Sequence, residues 1–480
     1  MDNSLQYPEL NLLIGGQALA AGSRRTLDVT DPATLAVLGR LPVATSDDID
    51  AALDAAHRGF PRWRDTPALE RAAILRRAAA LMRERAPRLA WLITRELGKP
   101  LAESEKEVAT AAEMFEWAAE EARRTYGRLI PGRVAGIRQM AIPEPVGPVA
   151  AFSGWNAPAI TPSRKIAGAL GAGCSIVIKP SEETPAIALE IGRALADAGL
   201  PAGTLNMLFG DPGEISRRLI ESPLIRMVTF TGSTSIGREL AVMAAAGLKR
   251  ATLELGGHAP VLVFDDADAE AAADTVLAAK LRNSGQICTS PTRMYVQRGV
   301  YERFVARLAE RARGWRVGNG LDAGVQMGPL ANPRRLAAME SMVADALAHG
   351  AQLAAGGTRP DLPGWFWAPT VLRDAGTDCM AAHTEPFGPL ALVSPFDDLD
   401  EGLALANRLP FGLAAYVFTR DSAIARTATE RIESGVVCVN HCQASLPETP
   451  FGGFKDSGLG KEGGIEGLQE FMQIKYVSQI

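Results

Sequence analysis

Val149-Ala150-Ala151-Phe152, Ser175-Ile176-Val177-Ile178, Leu205-Asn206-Met207-Leu208-Phe209 and Ile225-Arg226-Met227-Val228-Thr229-Phe230 are four short apolar runs with helical segments, such as Ala186 to Ala198, between them. Strand–helix alternation of this kind implies a parallel sheet covered on both faces. Ligands bind such sheets beyond the carboxyl ends of the strands, where loops lead into helix N-termini. A second alternating region, from about Val261 to Val439, reads as a separate α/β domain.

Outward from these regions the pattern changes. The N-terminal ~130 residues read as mostly helical. Ser46-Asp47-Asp48 opens a helix ending near His57, and a longer helix spans Ala68 to Leu97, where Gly98 and Pro100 stop it. Val134 to Pro143 and Lys475 to Ile480 alternate like protruding strands. Exposed strand edges invite pairing, with another subunit or with each other.

A chain of 480 residues exceeds one ordinary core, so two or three domains are expected. Hydrophobic residues make up 47% and charged ones 22%, which describes a soluble globular protein. The net charge of −5, with no Lys/Arg block, argues against nucleic acid as a partner. No basic start precedes an apolar run at the N-terminus, and no stretch of about 18 apolar residues occurs, so neither a signal peptide nor a membrane span is expected. The five cysteines (Cys174, Cys288, Cys379, Cys438, Cys442) are scattered and odd in number, which suits free thiols in a reducing cytoplasm. No metal ligand is assigned.

Two motifs point to a dinucleotide. Phe230-Thr231-Gly232-Ser233-Thr234 ends one run and opens a helix. Gly232 permits a tight turn, and Ser233 and Thr234 can cap a helix whose first N–H groups attract phosphate. Lys179-Pro180-Ser181-Glu182 ends another run, and a lysine and a carboxylate three apart can both bond the hydroxyls of one ribose. Glu182 favours a free 2′-hydroxyl, hence NAD, whereas Lys179 and Ser181 leave NADP possible. Standing alone, the first motif is usually a helix cap and the second a salt bridge at a turn.

The chemistry resides elsewhere. Cys288 lies in Asn283-Ser284-Gly285-Gln286-Ile287-Cys288-Thr289, a glycine-containing loop between the helical Ala267 to Leu281 and the strand-like Arg293 to Val296. A thiolate adds to an aldehyde to give a thiohemiacetal, which loses hydride to a nicotinamide and becomes a thioester. Water must then attack, which requires a general base. Glu254, before Gly256-Gly257, is placed to be that base, and the glycines let the backbone approach a neighbour. The negative oxygen formed on addition needs positioned donors, one of which Asn156 can supply. Taken singly, such a cysteine is usually packing and such a glutamate a cap or an ion pair.

The set resembles the aldehyde dehydrogenase superfamily over essentially the whole chain. In order, the matching motifs are Gly154-Trp155-Asn156, Lys179-Pro180-Ser181-Glu182, Phe230-Thr231-Gly232-Ser233, Glu254-Leu255-Gly256-Gly257, Gly285-Gln286-Ile287-Cys288, Glu385-Pro386-Phe387-Gly388-Pro389 and Pro450-Phe451-Gly452-Gly453-Phe454-Lys455-Asp456-Ser457-Gly458. The resemblance implies an α/β fold with a Rossmann-type parallel-sheet NAD(P)-binding domain at 1–126 and 146–254. It also implies an α/β catalytic domain at 255–445 and a small β oligomerisation element at 127–145 and 466–480, giving a homodimer or homotetramer. By the same match Cys288 is the nucleophile, Glu254 the deacylation base, and Asn156 with the Cys288 N–H the oxyanion hole. Lys179, Ser181 and Glu182 fall to the adenosine ribose and Ser233 to the pyrophosphate. Glu385 and Phe387 fall to the nicotinamide ribose side, with Trp155, Gly210, Gly232 and Leu255 also at the cofactor. A CoA-acylating member would have little use for Glu254, and a non-catalytic one would not need Cys288, Glu254 and Asn156 together. Two departures are His258, where many members carry lysine, and Ala157, where an aromatic residue is commoner and whose small side chain is expected to widen the pocket.

Within the superfamily the chain looks most like the succinate-semialdehyde dehydrogenase group, through Gly98-Lys99-Pro100-Leu101-Ala102-Glu103 and Phe115-Glu116-Trp117-Ala118-Ala119-Glu120-Glu121. Arg164 and Arg282 fall where that group holds the substrate's far carboxylate, and Ser445 matches the hydroxyl completing the pocket. A guanidinium suits a carboxylate through bidentate hydrogen bonds. Succinate, glutarate and 2-oxoglutarate semialdehydes remain open as substrates, as do plain aliphatic or aromatic aldehydes. Ser290 stands where some members carry a second cysteine, so a regulatory disulfide with Cys288 is not expected.

Overall fold

Three of the four apolar runs, in the computed structural model describing residues 5–480, form the parallel neighbours Val149–Phe152, Ile176–Lys179 and Leu205–Met207. The fourth, Met227–Thr231, lies on the opposite side of Val149–Phe152, and Arg250–Glu254 follows it in parallel. Strand order therefore reverses between Val149–Phe152 and Met227–Thr231. That is the switch point at which an open parallel sheet leaves a crevice for ligand. Gly154-Trp155-Asn156 and Gly232-Ser233 follow the two strands that flank it.

Both edges of this eight-stranded sheet hold strands that local sequence did not announce. Leu12–Ile14 and Gln17–Leu19 form a hairpin that pairs antiparallel with Leu205–Met207. Its turn is Gly15-Gly16 with φ of 61° and 83°, which is the backbone two-residue hairpins prefer. At the other edge Gly458–Leu459 pairs antiparallel with Arg250–Glu254.

The second sheet has seven strands in the order Gln352–Ala355, Thr370–Arg373, Leu390–Phe396, Pro291–Gln297, Ala259–Val263, Ala414–Phe418 and Val436–Val439. All neighbours are parallel except the first pair. Only Leu255 to His258 separate the C-terminal end of Arg250–Glu254 from the start of Ala259–Val263. The carboxyl ends of one sheet thus meet the amino end of the other, and the loop carrying Cys288 enters the second sheet at that same end, before Pro291.

The N-terminal region departs from the expected helices. Strands Thr26–Thr30 and Val37–Pro42 precede any helix. The first helix runs Ser46–Arg64, past His57, and starts from a capping box between Thr45 and Asp48. The expected helix over 68–97 is two, Ala68–Glu84 and Ala86–Leu97, broken at Arg85 before Pro87, whose missing N–H suits a first turn.

The two orphan strands pair with each other. Met472–Gln479 runs antiparallel to Arg138–Pro145, and Arg128–Ile130 adds a third strand. The strand begins at Arg138 rather than Val134, and the terminal strand ends at Gln479. Arg128–Ile130 covers only Gln139 to Ala141, so Pro143 and Pro145 lie where that side needs no N–H. Among the described residues no helix is long and apolar enough to cross a membrane.

Candidate active site

The paired glycines close the gap between the sheets. A Cβ on Gly257 would stand 2.4 Å from the Cys288 carbonyl oxygen. One on Gly256 would stand 3.0 Å from Glu385 Oε2 and 3.2 Å from Thr234 Oγ1. Any side chain at Gly257 would push the loop carrying Cys288 away. Ser457 fixes this crossing, accepting from Gly412 N–H at 3.0 Å and donating to the Gly256 carbonyl at 2.7 Å, while Leu255 N–H donates to the Ser457 carbonyl at 3.0 Å.

Glu254 is buried at the strand end, and among the described residues its Oε1 has no hydrogen-bond partner. Burial, and then the Glu462 carboxylate, push its carboxyl up to about 8, against the pull of Lys165, Arg164 and the Cys288 thiol. Lys165 and Glu462 form an ion pair of 2.5 Å, with Thr229 Oγ1 3.1 Å from the ammonium. This pair joins residues 297 apart, and no local spacing marks it.

Cys288 sits on a half-buried turn after the short 3₁₀ segment Arg282–Gly285, with its thiol free. Burial, then the Glu254 and Glu385 carboxylates, raise the thiol well above its ordinary range. The Arg164 guanidinium and the Thr289 backbone N–H favour the thiolate. Tyr416 Oη donates to the Thr289 carbonyl at 2.5 Å and holds the far side of the turn. Asn156 Nδ2 donates to the Gln286 carbonyl at 3.1 Å, which places the carboxamide beside the peptides leading to Cys288.

The positions assigned to a dinucleotide lie at strand ends on the crevice side. Lys179 is buried and ion-paired with Glu182, whose Oε1 accepts the Gly210 N–H at 3.1 Å. Ser181 Oγ accepts from the Glu183 N–H at 3.2 Å. The helix Thr234–Ala246 has Ser233 as its N-cap residue, yet no side chain caps it. The expected caps fail because Ser233 Oγ turns to Ser235 Oγ and Thr234 Oγ1 to the Asp456 carbonyl. The leading N–H groups stay free for an anion, and this uncapped end is what fits a pyrophosphate. Gly232 N–H donates to the Glu254 carbonyl at 3.1 Å and ties this turn to the strand that ends at Glu254. Leu255 is buried against Gly237 in the same helix.

Glu385 and Phe387 converge from the second sheet. Phe387 has the left-handed φ of 44°, is flanked by the Arg335–Pro386 hydrogen bond, and packs edge-on against Trp155 at 5.4 Å between centroids. Burial pushes the Glu385 carboxyl up to about 8, opposed by the Gly257 N–H, Arg335 and Lys280. Lys280 itself is buried with no hydrogen-bond partner among the described residues, and burial pushes it down to about 7. His258, the departure after the glycines, is buried with Nε2 3.0 Å from the Ala381 carbonyl, and burial keeps it neutral.

Of the three residues expected around a substrate carboxylate, two meet. Arg164 Nη2 donates to Ser445 Oγ at 2.8 Å, its guanidinium lies 4.6 Å from the Phe451 ring centroid, and its buried Nε has no partner among the described residues. Arg282 is not bonded to this pair. It is exposed, and among the described residues it makes no hydrogen bond or ion pair with either. As the residue at which the helix Ala269–Leu281 ends, it has ψ 135°, which turns the chain out of the helix.

This arrangement brings a free thiol, a buried carboxyl and an uncapped helix N-terminus together between two largely parallel sheets. The chain belongs to the aldehyde dehydrogenase family, whose model matches residues 19–477. It is 46% identical over 469 residues, 98% of either chain, to the 4-(hydroxymethyl)benzenesulfonate dehydrogenase TsaD1 of Comamonas testosteroni. It is 44% identical, over 97% of this chain and 96% of the other, to the NADP(+) succinate-semialdehyde dehydrogenase GabD of Escherichia coli. The crystal structure of succinate-semialdehyde dehydrogenase from Burkholderia pseudomallei matches with a TM-score of 0.97 at 42% identity, covering 100% of this chain and 99% of that one. The protein is an NAD(P)-dependent aldehyde dehydrogenase with the fold that the sequence motifs imply.

Proposed function

We propose that the protein oxidises an aldehyde bearing an anionic group at its far end, such as succinate semialdehyde, to the corresponding carboxylic acid. The observation that carries this reading is the buried Arg164 guanidinium, bonded to Ser445 with Nε unpaired, whose charge reaches both Cys288 and Glu254. A guanidinium so buried is costly without an anionic partner. The relatives named for succinate and glutarate semialdehydes support the same class.

The Cys288 thiol releases its proton to solvent, and the thiolate so formed, favoured by the Arg164 guanidinium and the Thr289 N–H, adds to the aldehyde carbon, with the new oxyanion between Asn156 Nδ2 and the Cys288 N–H. Bound NAD(P)+ would supply the hydride acceptor needed to oxidise the Cys288 thiohemiacetal to a thioester. Glu254 then takes a proton from water as its oxygen attacks the thioester carbon, and the acid leaves as the thiolate returns. Lys179 and Glu182 would hold the adenosine ribose, the N-terminus of Thr234–Ala246 the pyrophosphate, and Glu385 and Phe387 the nicotinamide ribose side. Residues 1–126 and 146–254 hold the cofactor in this reading, and 255–445 carry the nucleophile. The small sheet of 127–145 and 466–480, with Leu129, Ile474 and Tyr476 exposed, pairs subunits into a homodimer or homotetramer. The free thiols are consistent with a cytoplasmic enzyme.

A ring between the aldehyde and the anion is the second reading. TsaD1 is named for 4-(hydroxymethyl)benzenesulfonate, and Ala157, half-buried beside Asn156, leaves room that an aromatic side chain would fill. A steady-state panel of succinate semialdehyde, 4-formylbenzenesulfonate and hexanal tests both. Equal kcat/KM for hexanal and the two anionic aldehydes would sink the anion pocket. A higher kcat/KM for the sulfonate that Ala157→Phe removes would select the second reading.

Charged hydrogen bonds contribute about 1.5–3 kcal/mol. Arg164→Gln is therefore expected to raise KM for succinate semialdehyde on the order of 10- to 100-fold while moving hexanal little. Arg282→Ala should have the smaller effect, because solvent screens an exposed charge. Equal effects of Arg164→Gln on both aldehydes would mark Arg164 as structural.

Glu182 supports a preference for NAD over NADP, since its carboxylate beside the ribose repels a 2′-phosphate. Glu182→Ala should lower the KM for NADP and raise that for NAD. An unchanged cofactor ratio would take Glu182 away from the ribose.

A further inference from the structure

Five residues before the nucleophile, the backbone does something unusual. Asn283, Ser284 and Gly285 take φ of 47°, 55° and 74°, three successive left-handed residues, and all three are buried. Only glycine adopts this region freely, asparagine tolerates it, and serine does so at a cost that the surroundings must offset. Here they do. Ser284 Oγ lies 2.8 Å from the Gly328 carbonyl, Asn283 N–H donates to Glu103 Oε2 at 2.9 Å, and Gln286 Nε2 donates to the Asn283 carbonyl at 3.0 Å.

The left-handed turn delivers one side chain to a particular place. Asn283 Nδ2 donates to the Asn156 carbonyl at 2.9 Å and to the Gln286 carbonyl at 3.2 Å. The Gln286 carbonyl also accepts from Asn156 Nδ2 at 3.1 Å. A carboxamide nitrogen has two hydrogens. With one of the Asn156 pair committed to Gln286, the other is left for a substrate oxygen. Lys99 Nζ, 3.4 Å from the Asn156 carbonyl and ion-paired with Glu107, is a second support on that carbonyl.

We infer that Asn283 is a positioning residue of the oxyanion hole: its carboxamide ties the backbone of Asn156 to the peptide leading into Cys288, so that the two oxyanion donors face one point. The inference rests on Asn156 being such a donor. Asn283 does not reach the substrate, so its contribution is geometric. A donor displaced by about 1 Å loses up to about 100-fold in rate.

The test uses two variants of the full-length enzyme. Asn283→Gly deletes the carboxamide but keeps a backbone at ease with positive φ. Asn283→Asp keeps the shape and the tolerance for this conformation but presents no N–H donor. Both are expected to slow the NAD(P)H burst with saturating aldehyde about 10- to 100-fold. Alkylation of Cys288 by iodoacetamide, a displacement at saturated carbon that forms no oxyanion, should stay within about threefold of wild type. The double variant Asn156→Ala with Asn283→Gly should fall no further than Asn156→Ala alone, because the second residue acts through the first. A burst at the wild-type rate in either variant, losses that multiply in the double variant, or a parallel fall in alkylation would overturn the proposal. If Asn156→Ala itself keeps a normal burst, the oxyanion assignment fails and takes this inference with it. If Asn156→Ala is slow and Asn283→Gly is not, only this inference fails.

Discussion

Cys288→Ala is expected to abolish NAD(P)-dependent aldehyde oxidation, a loss on the order of 10⁴-fold or more in kcat, as for other enzymes stripped of their covalent nucleophile. The thiol has no local substitute. Cys438 and Cys442 are the other thiols whose charge is felt at Tyr416, the residue that holds the Thr289 carbonyl, and burial raises their pKa to about 11 and about 12. The turn around Cys288 is held by Tyr416 and by backbone contacts, so alanine should leave the fold and cofactor binding intact. Circular dichroism and quenching of protein fluorescence by NAD(P)H check those two points. A Cys288→Ala enzyme that turns over at even a few percent of the wild-type rate would remove the covalent mechanism.

Glu254→Gln is expected to separate the two half-reactions. Acylation and hydride loss need the thiol and the oxyanion donors, so one NAD(P)H per site should appear in a burst. Hydrolysis needs the base, and its loss should slow the steady state by about 10²- to 10⁴-fold. The pH dependence has a definite sign. If Glu254 is the base, it works as carboxylate, and burial with the neighbouring Glu462 places its pKa at about 8. Steady-state turnover of the wild type should therefore rise with pH through 7 and level off above about 8, while Glu254→Gln should lose that rise. A flat wild-type profile from pH 6.5 to 8.5, or normal turnover in Glu254→Gln, would displace Glu254 from hydrolysis. Thermal stability should not fall in this variant. A carboxyl whose pKa is raised on folding disfavours the folded state as pH climbs above its unfolded value, and glutamine removes that penalty.

Much of this was legible in the sequence because local chemistry marked it. The runs from Val149 to Phe230 are apolar on both faces, as parallel strands must be, and Gly256-Gly257 announced a close approach that the Cys288 carbonyl supplies. What was missed lay in short or distant pairings. Leu12–Ile14 and Gln17–Leu19 are three residues each, too short to show a period, although Gly15-Gly16 was a readable hairpin turn. The break at Arg85 sits inside a continuous helical pattern, and only Pro87 hinted at it. In the site, the Lys165–Glu462 pair and the contact of Ser457 with Gly256 join residues 297 and 201 apart, so nothing nearby in sequence foretells them. Arg282 was legible only as a spacing. Its spacing from Cys288 suited a pocket, but the chain leaves its helix there and the side chain is exposed, while Arg164 and Ser445 meet from opposite parts of the chain.

The central claim is a thioester on Cys288 that waits for Glu254. Its most direct test is mass spectrometry of Glu254→Gln quenched in acid after a single turnover with succinate semialdehyde and NAD+. The account predicts a succinyl adduct on the peptide carrying Cys288, one per subunit and matched by one NADH. Stoichiometric NADH with no adduct on that peptide, or an adduct on a different cysteine, would contradict it.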